Sequence, residues 1–137
     1  MITADSTVWI GYFNGEDTPQ IRALDAALDD SSNEVVLLDV VLMEVLRGFR
    51  HTRELELARK ALAPLPVVTA GGETVALEAA ALYRRLRMKG ITVRGPIDLL
   101  VGAWCIHHDC LLIHSDRDYD AMEQLEGLQA WSKECPI

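Results

Sequence analysis

The sequence is short of the residues that mark several protein classes. Its 137 residues include only three cysteines, Cys105, Cys110 and Cys135, and no two of them form a CxxC pair. That count argues against a disulfide framework and a zinc ribbon, and it favours a reducing compartment, the cytoplasm. No stretch approaches the roughly 18 uncharged apolar residues of a membrane span, and the first residues lack the basic segment that opens a signal peptide.

Basic residues are also scarce. Lysine and arginine together number 13, against 21 aspartate and glutamate residues, so the formal net charge is −8. Because contacts with phosphate depend on lysine and arginine, this balance alone argues against a nucleic-acid partner. That argument has to be weighed against the positions of the acids in the fold.

The chain does have enough apolar sequence for a sizeable core. Half of its residues are hydrophobic, which excludes a disordered chain, and its length suits one domain over residues 1–137. Short β-branched runs alternate with segments of helical periodicity. Strands are expected at 2–4, 35–38, 67–69, 111–113 and 128–130, and helices at 19–28, 40–49, 54–62, 73–89 and 96–107. This alternation predicts one α/β domain whose parallel sheet has helices on both faces.

Two boundaries follow from the same pattern. The first strand and the turn that leaves it are expected to reach Val8. Asp39 follows the second apolar run directly, so it is expected to cap the next helix with its side-chain oxygen.

Most of the acids lie in polar stretches such as 16–17, 29–30 and 123–126 and are expected on the solvated surface. Five others have apolar runs close by. They are Asp5 after the first strand, Glu44 inside the helix at 40–49, Asp98 at the start of the helix at 96–107, and Asp116 with Asp118 after the fourth strand. A carboxylate in the middle of an apolar helix, as at Glu44, has a large desolvation cost unless positive charge meets it.

Most of these acids also have an ordinary structural interpretation. Asp5 can cap the helix after it, and Asp98 suits the first turn of a helix that opens at Pro96. Asp116 and Asp118 can start a turn. As a group they argue for more, because ligands of a parallel α/β sheet bind beyond the carboxyl ends of the strands. Carboxylates that meet there repel one another, and a hard divalent cation, Mg²⁺ or Mn²⁺, resolves that repulsion.

A carboxylate site for Mg²⁺ or Mn²⁺ mainly handles phosphate esters. A haloacid-dehalogenase-like phosphatase needs a second aspartate two residues after the first, where this chain has Thr7. A receiver domain needs a late lysine, and the only one beyond position 89 is Lys133. The chain has no GxxxxGK[ST] phosphate-binding loop. Metal-assisted nuclease chemistry remains.

Four motifs carry a family resemblance. They are DSTVWI at 5–10, EVLRG at 44–48, TVRGPID at 92–98 and HSDRDY at 114–119. In this order and at these spacings they resemble the PIN domain, specifically the VapC-type toxins. The resemblance implies a three-layer α/β/α sandwich with a central, mainly parallel sheet. It also implies an endoribonuclease that depends on Mg²⁺ or Mn²⁺, acts on structured RNA of the tRNA or rRNA class, and forms a homodimer. Its inhibitor would be a VapB-type antitoxin, whose C-terminal segment wraps over the toxin groove in a heterotetramer or larger assembly.

The resemblance also assigns residues. It makes Asp5, Glu44, Asp98 and Asp116 the catalytic acids, and it makes Asp5, Asp98, Asp116 and Asp118 the metal ligands, with Asp118 an accessory acid in some members of the family. Ser6 or Thr7 would orient the first aspartate, and which hydroxyl faces inward stays open because the family usually reads Asp-Thr-Ser here. Gly95 and Pro96 replace small polar residues of the family, which alters the loop beside the groove.

The basic residues have two interpretations. Arg84, Arg85, Arg87, Lys89 and Arg94 lie within eleven positions and form either a solvated helix face or a rim that contacts RNA. Arg94 precedes the turn at Asp98 and is the one expected nearest the scissile phosphate. Arg47 could reach phosphate or acidic groups of the antitoxin, and His114 is a candidate to support Asp116. Two other functions stay open: an RNA- or protein-binding PIN module with low turnover, and an RNA-maturation nuclease without an antitoxin.

Overall fold

The computed structural model describes residues 1–133, so Cys135 lies outside the described residues. Four short strands alternate with seven helices in this part of the chain. The strands are β1 (Ile2–Ala4), β2 (Leu37–Leu38), β3 (Val67–Val68) and β4 (Leu111–Ile113), and the helices are α1 (Ser6–Phe13), α2 (Pro19–Asp29), α3 (Asp39–Arg47), α4 (Thr52–Leu62), α5 (Glu73–Met88), α6 (Pro96–His107) and α7 (Arg117–Glu126). Within residues 1–133, no helix combines the length and the apolar character needed to cross a membrane.

The strands pair in parallel, as the alternation of strands and helices predicts. β1 pairs with β4, β2 pairs with β3, and a bridge between Ile2 and Val35 joins the two pairs. The spatial order is therefore β3, β2, β1, β4. The chain winds outward from β1 in one direction and then returns to place β4 on the other side, so the winding reverses between β1 and β4. Ligands of open α/β sheets bind at such a reversal, beyond the carboxyl ends of the strands.

The centre of the sheet is buried on both faces. Ala4, Leu38, Leu112 and Ile113 have no solvent exposure, as expected for parallel strands that helices cover on both sides. α6 and α7 approach closely at Gly102, where an added Cβ would overlap the sulfur of Met122. This close approach packs the middle of α7 against the middle of α6.

The structure corrects two predicted boundaries near the ends of β1 and β2. The chain turns into α1 already at Ser6, because Asp5 accepts a hydrogen bond from the amide of Val8 and caps the helix. Asp39 is the first residue of α3 and does not cap it. Its carboxylate accepts hydrogen bonds from the amides of Val40 and Ala70, and the second of these joins α3 to the segment after β3.

Helix α7 was not predicted, although both of its ends carry sequence signals. Asp116 caps its start, and Gly127 ends it with φ of +76°, a conformation that favours glycine. The expectation that 123–126 is ordinary solvated surface was wrong for Glu123 and Glu126, although Gln124 and Leu125 are exposed. The Glu126 side chain is only 10% exposed and lies 3.0 Å from Arg85. The predicted fifth strand is reduced to a parallel bridge between Leu112 and Ala130.

Candidate active site

Asp5 lies at the carboxyl end of β1 and is almost completely buried, with 4% exposure. Its Oδ1 accepts a hydrogen bond from the Val8 amide over 3.2 Å, and its Oδ2 accepts one from the Thr7 hydroxyl over 2.8 Å. Burial raises the pKa of Asp5 to about 6, although both hydrogen bonds act to lower it. Thr7 is therefore the hydroxyl that orients this carboxylate, and the structure assigns no such contact to Ser6, which is half-buried.

Asp98 lies in the first turn of α6, whose start is fixed by Gly95 and Pro96. Its Oδ1 accepts a hydrogen bond from the Tyr119 hydroxyl over 3.1 Å. Its Oδ2 lies 2.9 Å from the point where a Cβ would be at Gly95, so any larger residue would displace the carboxylate. Burial raises the pKa of Asp98, and repulsion from Asp116 and other acids adds to that effect.

Asp116 and Asp118 come directly after β4, at the carboxyl end of the strand next to β1. Asp116 caps α7 by accepting a hydrogen bond from the Asp118 amide over 2.9 Å. One carboxylate oxygen of each of these two residues and one of Asp98 lie within 4.8 Å of one another. Burial and the charge of Asp116 raise the pKa of Asp118, while Arg94 opposes the change.

Glu44 lies one turn into α3 with a side chain that is 18% exposed. Its Oε2 is 3.8 Å from Nη2 of Arg47, so positive charge does meet this carboxylate, as its apolar surroundings require. Glu44 is also close enough to Asp98 to raise the pKa of that carboxyl group.

The five acids singled out in the sequence therefore converge at one edge of the sheet. They come from four separate segments: the end of β1, the middle of α3, the first turn of α6, and the segment from the end of β4 into α7. At Asp5, Asp98 and Asp118, burial and repulsion from neighbouring acids disfavour the negative charge, and a divalent cation would relieve both effects. The donors are carboxylate oxygens, which are the ligands of Mg²⁺ and Mn²⁺, so the residues present fit such an ion.

The predicted basic residues separate into two groups. Arg85 is bound to Glu126, and Arg87 lies 3.5 Å from the Tyr83 hydroxyl, so both are engaged along α5 and α7. Arg84 and Arg94 are exposed and line one groove of about 560 Å³ together with Tyr83. This groove also includes Pro96 and Leu99 from the first turn of α6, the helix that carries Asp98, although none of the five acids lines it.

Sequence reasoning missed one residue of the site and underrated another. Tyr119 donates to Asp98, and only the fold could reveal this contact because the two residues are 21 positions apart. His114 was a candidate only as a support for Asp116. The structure shows that its Nδ1 accepts from the Asp116 amide over 3.2 Å, while its Nε2 contacts Glu123 over 2.9 Å.

Comparisons with known proteins agree with this geometry. The chain is 26% identical to ribonuclease VapC11 of Mycobacterium tuberculosis and to a VapC ribonuclease of Mycobacterium bovis. Each of these alignments spans 132 residues, which is 96% of this chain and 98% of the relative. The fold resembles VapBC2 from Rickettsia felis bound to a DNA fragment from their promoter, with a TM-score of 0.72, 17% identity and coverage of 96% of this chain and 100% of that one. DNA-bound VapBC from Salmonella typhimurium gives a TM-score of 0.72 at 19% identity, with coverage of 96% and 98%. The sequence model of the PIN domain matches residues 2–125, and the chain therefore belongs to the PIN domain family.

Proposed function

We propose that this chain is an endoribonuclease toxin that depends on Mg²⁺ or Mn²⁺ and cleaves structured RNA of the tRNA or rRNA class. The observation that carries the proposal is the convergence of Asp5, Glu44, Asp98, Asp116 and Asp118 between the ends of β1 and β4. The similarity of the chain to VapC ribonucleases along nearly its whole length supports the proposal that it hydrolyses RNA. The free thiols of Cys105 and Cys110 suit a reducing compartment, and we propose the cytoplasm.

Each carboxylate has a neighbour that sets its orientation. The Thr7 hydroxyl and the Val8 amide hold Asp5, and the Asp118 amide holds Asp116. Asp5, Asp98 and Asp116 would bind the cation, with Asp118 beside them and Glu44 adding a further negative charge. A divalent cation supplies charge neutralisation for phosphate and activation of a water nucleophile.

The exposed residues Arg84 and Arg94 are the basic groups that we expect to bind the RNA substrate. Arg94 lies near enough to Asp118 to oppose the rise in the pKa of that carboxyl group, so its guanidinium is close to the acids. With Arg84 on the same groove, it would bind the phosphate backbone on one side of the scissile bond. Because the net charge is −8, non-specific affinity for RNA should be low, and recognition should depend on the cation and on RNA shape.

We also propose that a VapB-type antitoxin inhibits the chain, in an assembly built on a toxin homodimer. An apolar groove of about 670 Å³ between α3 and α4 suits an amphipathic segment of such a partner. Leu42, Leu46 and Leu55 line this groove, and Arg47 and Arg59 can meet acidic groups of the partner. The structures similar in fold are of VapBC complexes.

The test of catalysis is an assay of purified protein on structured RNA with Mg²⁺, with EDTA, and with Asp98→Asn. Asp25→Asn is the matched control, because Asp25 is exposed on α2, away from the acids. We expect cleavage only by the wild type and Asp25→Asn with metal, and the products should carry a 3′-hydroxyl and a 5′-phosphate. Equal cleavage in all conditions would sink the proposal. RNA binding without any metal-dependent cleavage would favour the low-turnover binding module.

The test of inhibition uses a small protein whose gene lies beside the gene for this chain. We expect this protein to co-purify with the chain and to block RNA cleavage. Leu46→Glu should release this inhibition, because it places a charge in the apolar groove between α3 and α4. Leu77→Glu is the matched control, since Leu77 is 65% exposed on α5. If no neighbouring protein inhibits the nuclease, the RNA-maturation enzyme becomes the better interpretation.

A further inference from the structure

Three residues around the start of α7 link the carboxylates to the core, and we call them the orienting network: His114, Tyr119 and Glu123. Tyr119 has no solvent exposure, and its hydroxyl donates to Asp98 Oδ1. The His114 ring packs against the Tyr119 ring at a centroid distance of 4.9 Å. The network therefore touches two of the proposed metal ligands, Asp98 through a hydroxyl and Asp116 through its amide.

The hydrogen bonds of His114 fix its tautomer. A backbone amide can only donate, so Nδ1 must accept from the Asp116 amide. The ring proton then lies on Nε2, which donates to the Glu123 carboxylate over 2.9 Å. Both ring nitrogens are thereby engaged. Although Asp120 lies close to His114 and Glu123, neither nitrogen of the imidazole is free to bind a metal there.

The hydroxyl of Tyr119 has no role in packing. A phenylalanine would fill the same buried position, and a buried hydroxyl costs free energy unless it is hydrogen-bonded. Its partner is one oxygen of Asp98, a carboxylate that Asp116, Glu44 and Asp118 all repel. The hydroxyl therefore holds the Asp98 side chain in a position from which its neighbours would otherwise push it.

We propose that Tyr119 is a positioning residue for the metal site, which holds Asp98 Oδ1 so that Oδ2 remains available to the cation. The His114 ring packs against the Tyr119 ring and accepts a hydrogen bond from the Asp116 amide. Glu123 in turn holds the His114 ring by its hydrogen bond with Nε2. This inference rests on the proposed function, because it assigns Asp98 as a ligand. Groups that orient ligands in this way affect metal affinity even though they never contact the metal.

The test is a calorimetric titration of the full chain with Mn²⁺. Tyr119→Phe removes one oxygen atom and keeps the ring, so we expect Mn²⁺ to bind about tenfold more weakly. Tyr12→Phe removes the same atom from α1 and should bind Mn²⁺ as the wild type does. Thermal unfolding without metal identifies any variant that fails to fold, and such a variant is replaced by Glu123→Gln, for which we also expect weaker binding.

A second titration tests whether Tyr119 acts through Asp98. In an Asp98→Ala background, Tyr119→Phe should cause no further loss of Mn²⁺ affinity, since the side chain that it positions is gone. Unchanged affinity in the single variant Tyr119→Phe would overturn the inference and leave the tyrosine a packing residue. If the wild type itself binds no Mn²⁺, the proposed function fails, and that result is distinct from a failure of this inference alone.

Discussion

Asp5 and Asp30 accept hydrogen bonds from the same kinds of donor, and yet their pKa values are shifted in opposite directions. Asp5 accepts from the Thr7 hydroxyl and the Val8 amide, and Asp30 accepts from the hydroxyl and the amide of Ser32. Asp30 is exposed in the turn before β2, and these hydrogen bonds lower its pKa. At Asp5, burial outweighs the hydrogen bonds and raises the pKa to about 6.

The difference shows that burial distinguishes the carboxylate of the proposed metal site from that of an ordinary turn residue in this fold. Hydrogen bonds to a carboxylate occur at both places, so they do not identify the site. Cavity size does not identify it either, because a cleft of about 700 Å³ lies beside Asp30. There, Arg22 already has a carboxylate partner, Asp17, at 2.6 Å. At the ends of β1 and β4, in contrast, burial raises the pKa of Asp5 and of Asp118.

The strongest test of this comparison exchanges the two aspartates for asparagine one at a time. Asp5→Asn should reduce RNA cleavage by about a hundredfold or more, because the loss of a ligand forfeits much of the several kcal/mol that a metal contributes to the transition state. Asp30→Asn should leave the cleavage rate within about twofold of the wild type. The measurement is single-turnover cleavage with saturating Mg²⁺. Similar losses in both variants would remove the distinction between them.

The sequence was sufficient to predict the parallel α/β architecture. Apolar runs such as 35–38 and 111–113 are too short for helices and too apolar for surface strands, which left buried parallel strands as the interpretation. The pattern did not predict α7, since Tyr119 and Met122 are the only residues of this helix that are fully buried. With so few apolar positions, the end signals at Asp116 and Gly127 would have been needed to find it.

The candidate site was also predictable only in part. Its acids were predictable because each stands beside apolar sequence, where a charge is costly. The groups that orient those acids were not predictable from spacing. The contact between Tyr119 and Asp98 depends on how α6 and α7 pack at Gly102, a tertiary feature with no local pattern.

A smaller effect is expected at Gly95, which gives Asp98 its space. In Gly95→Ala the new Cβ would meet Asp98 Oδ2, so the carboxylate must rotate and Mn²⁺ should bind about tenfold more weakly. Gly48→Ala is the matched control, because its Cβ would make only ordinary contacts at 3.5 Å. The two variants are compared by Mn²⁺ titration. Equal affinities would mean that the position of Asp98 tolerates movement, and the importance of burial would then rest on Asp5 alone.

The smallest expected effect is on stability without metal, and its sign is the informative part. Burial and the repulsion from Asp116 and Glu44 raise the pKa of Asp98, so its charge destabilises the folded state at neutral pH. Asp98→Asn removes that charge and keeps an oxygen that can accept from Tyr119. In EDTA we therefore expect its Tm to rise by about 2 to 4 °C, as roughly 1 kcal/mol gives in a domain of this size. Asp30→Asn should shift the Tm slightly downward, because two hydrogen bonds favour the charge at that position. A lower Tm for Asp98→Asn would mean that the carboxylate stabilises the fold, and the acids would then need no cation to explain their burial.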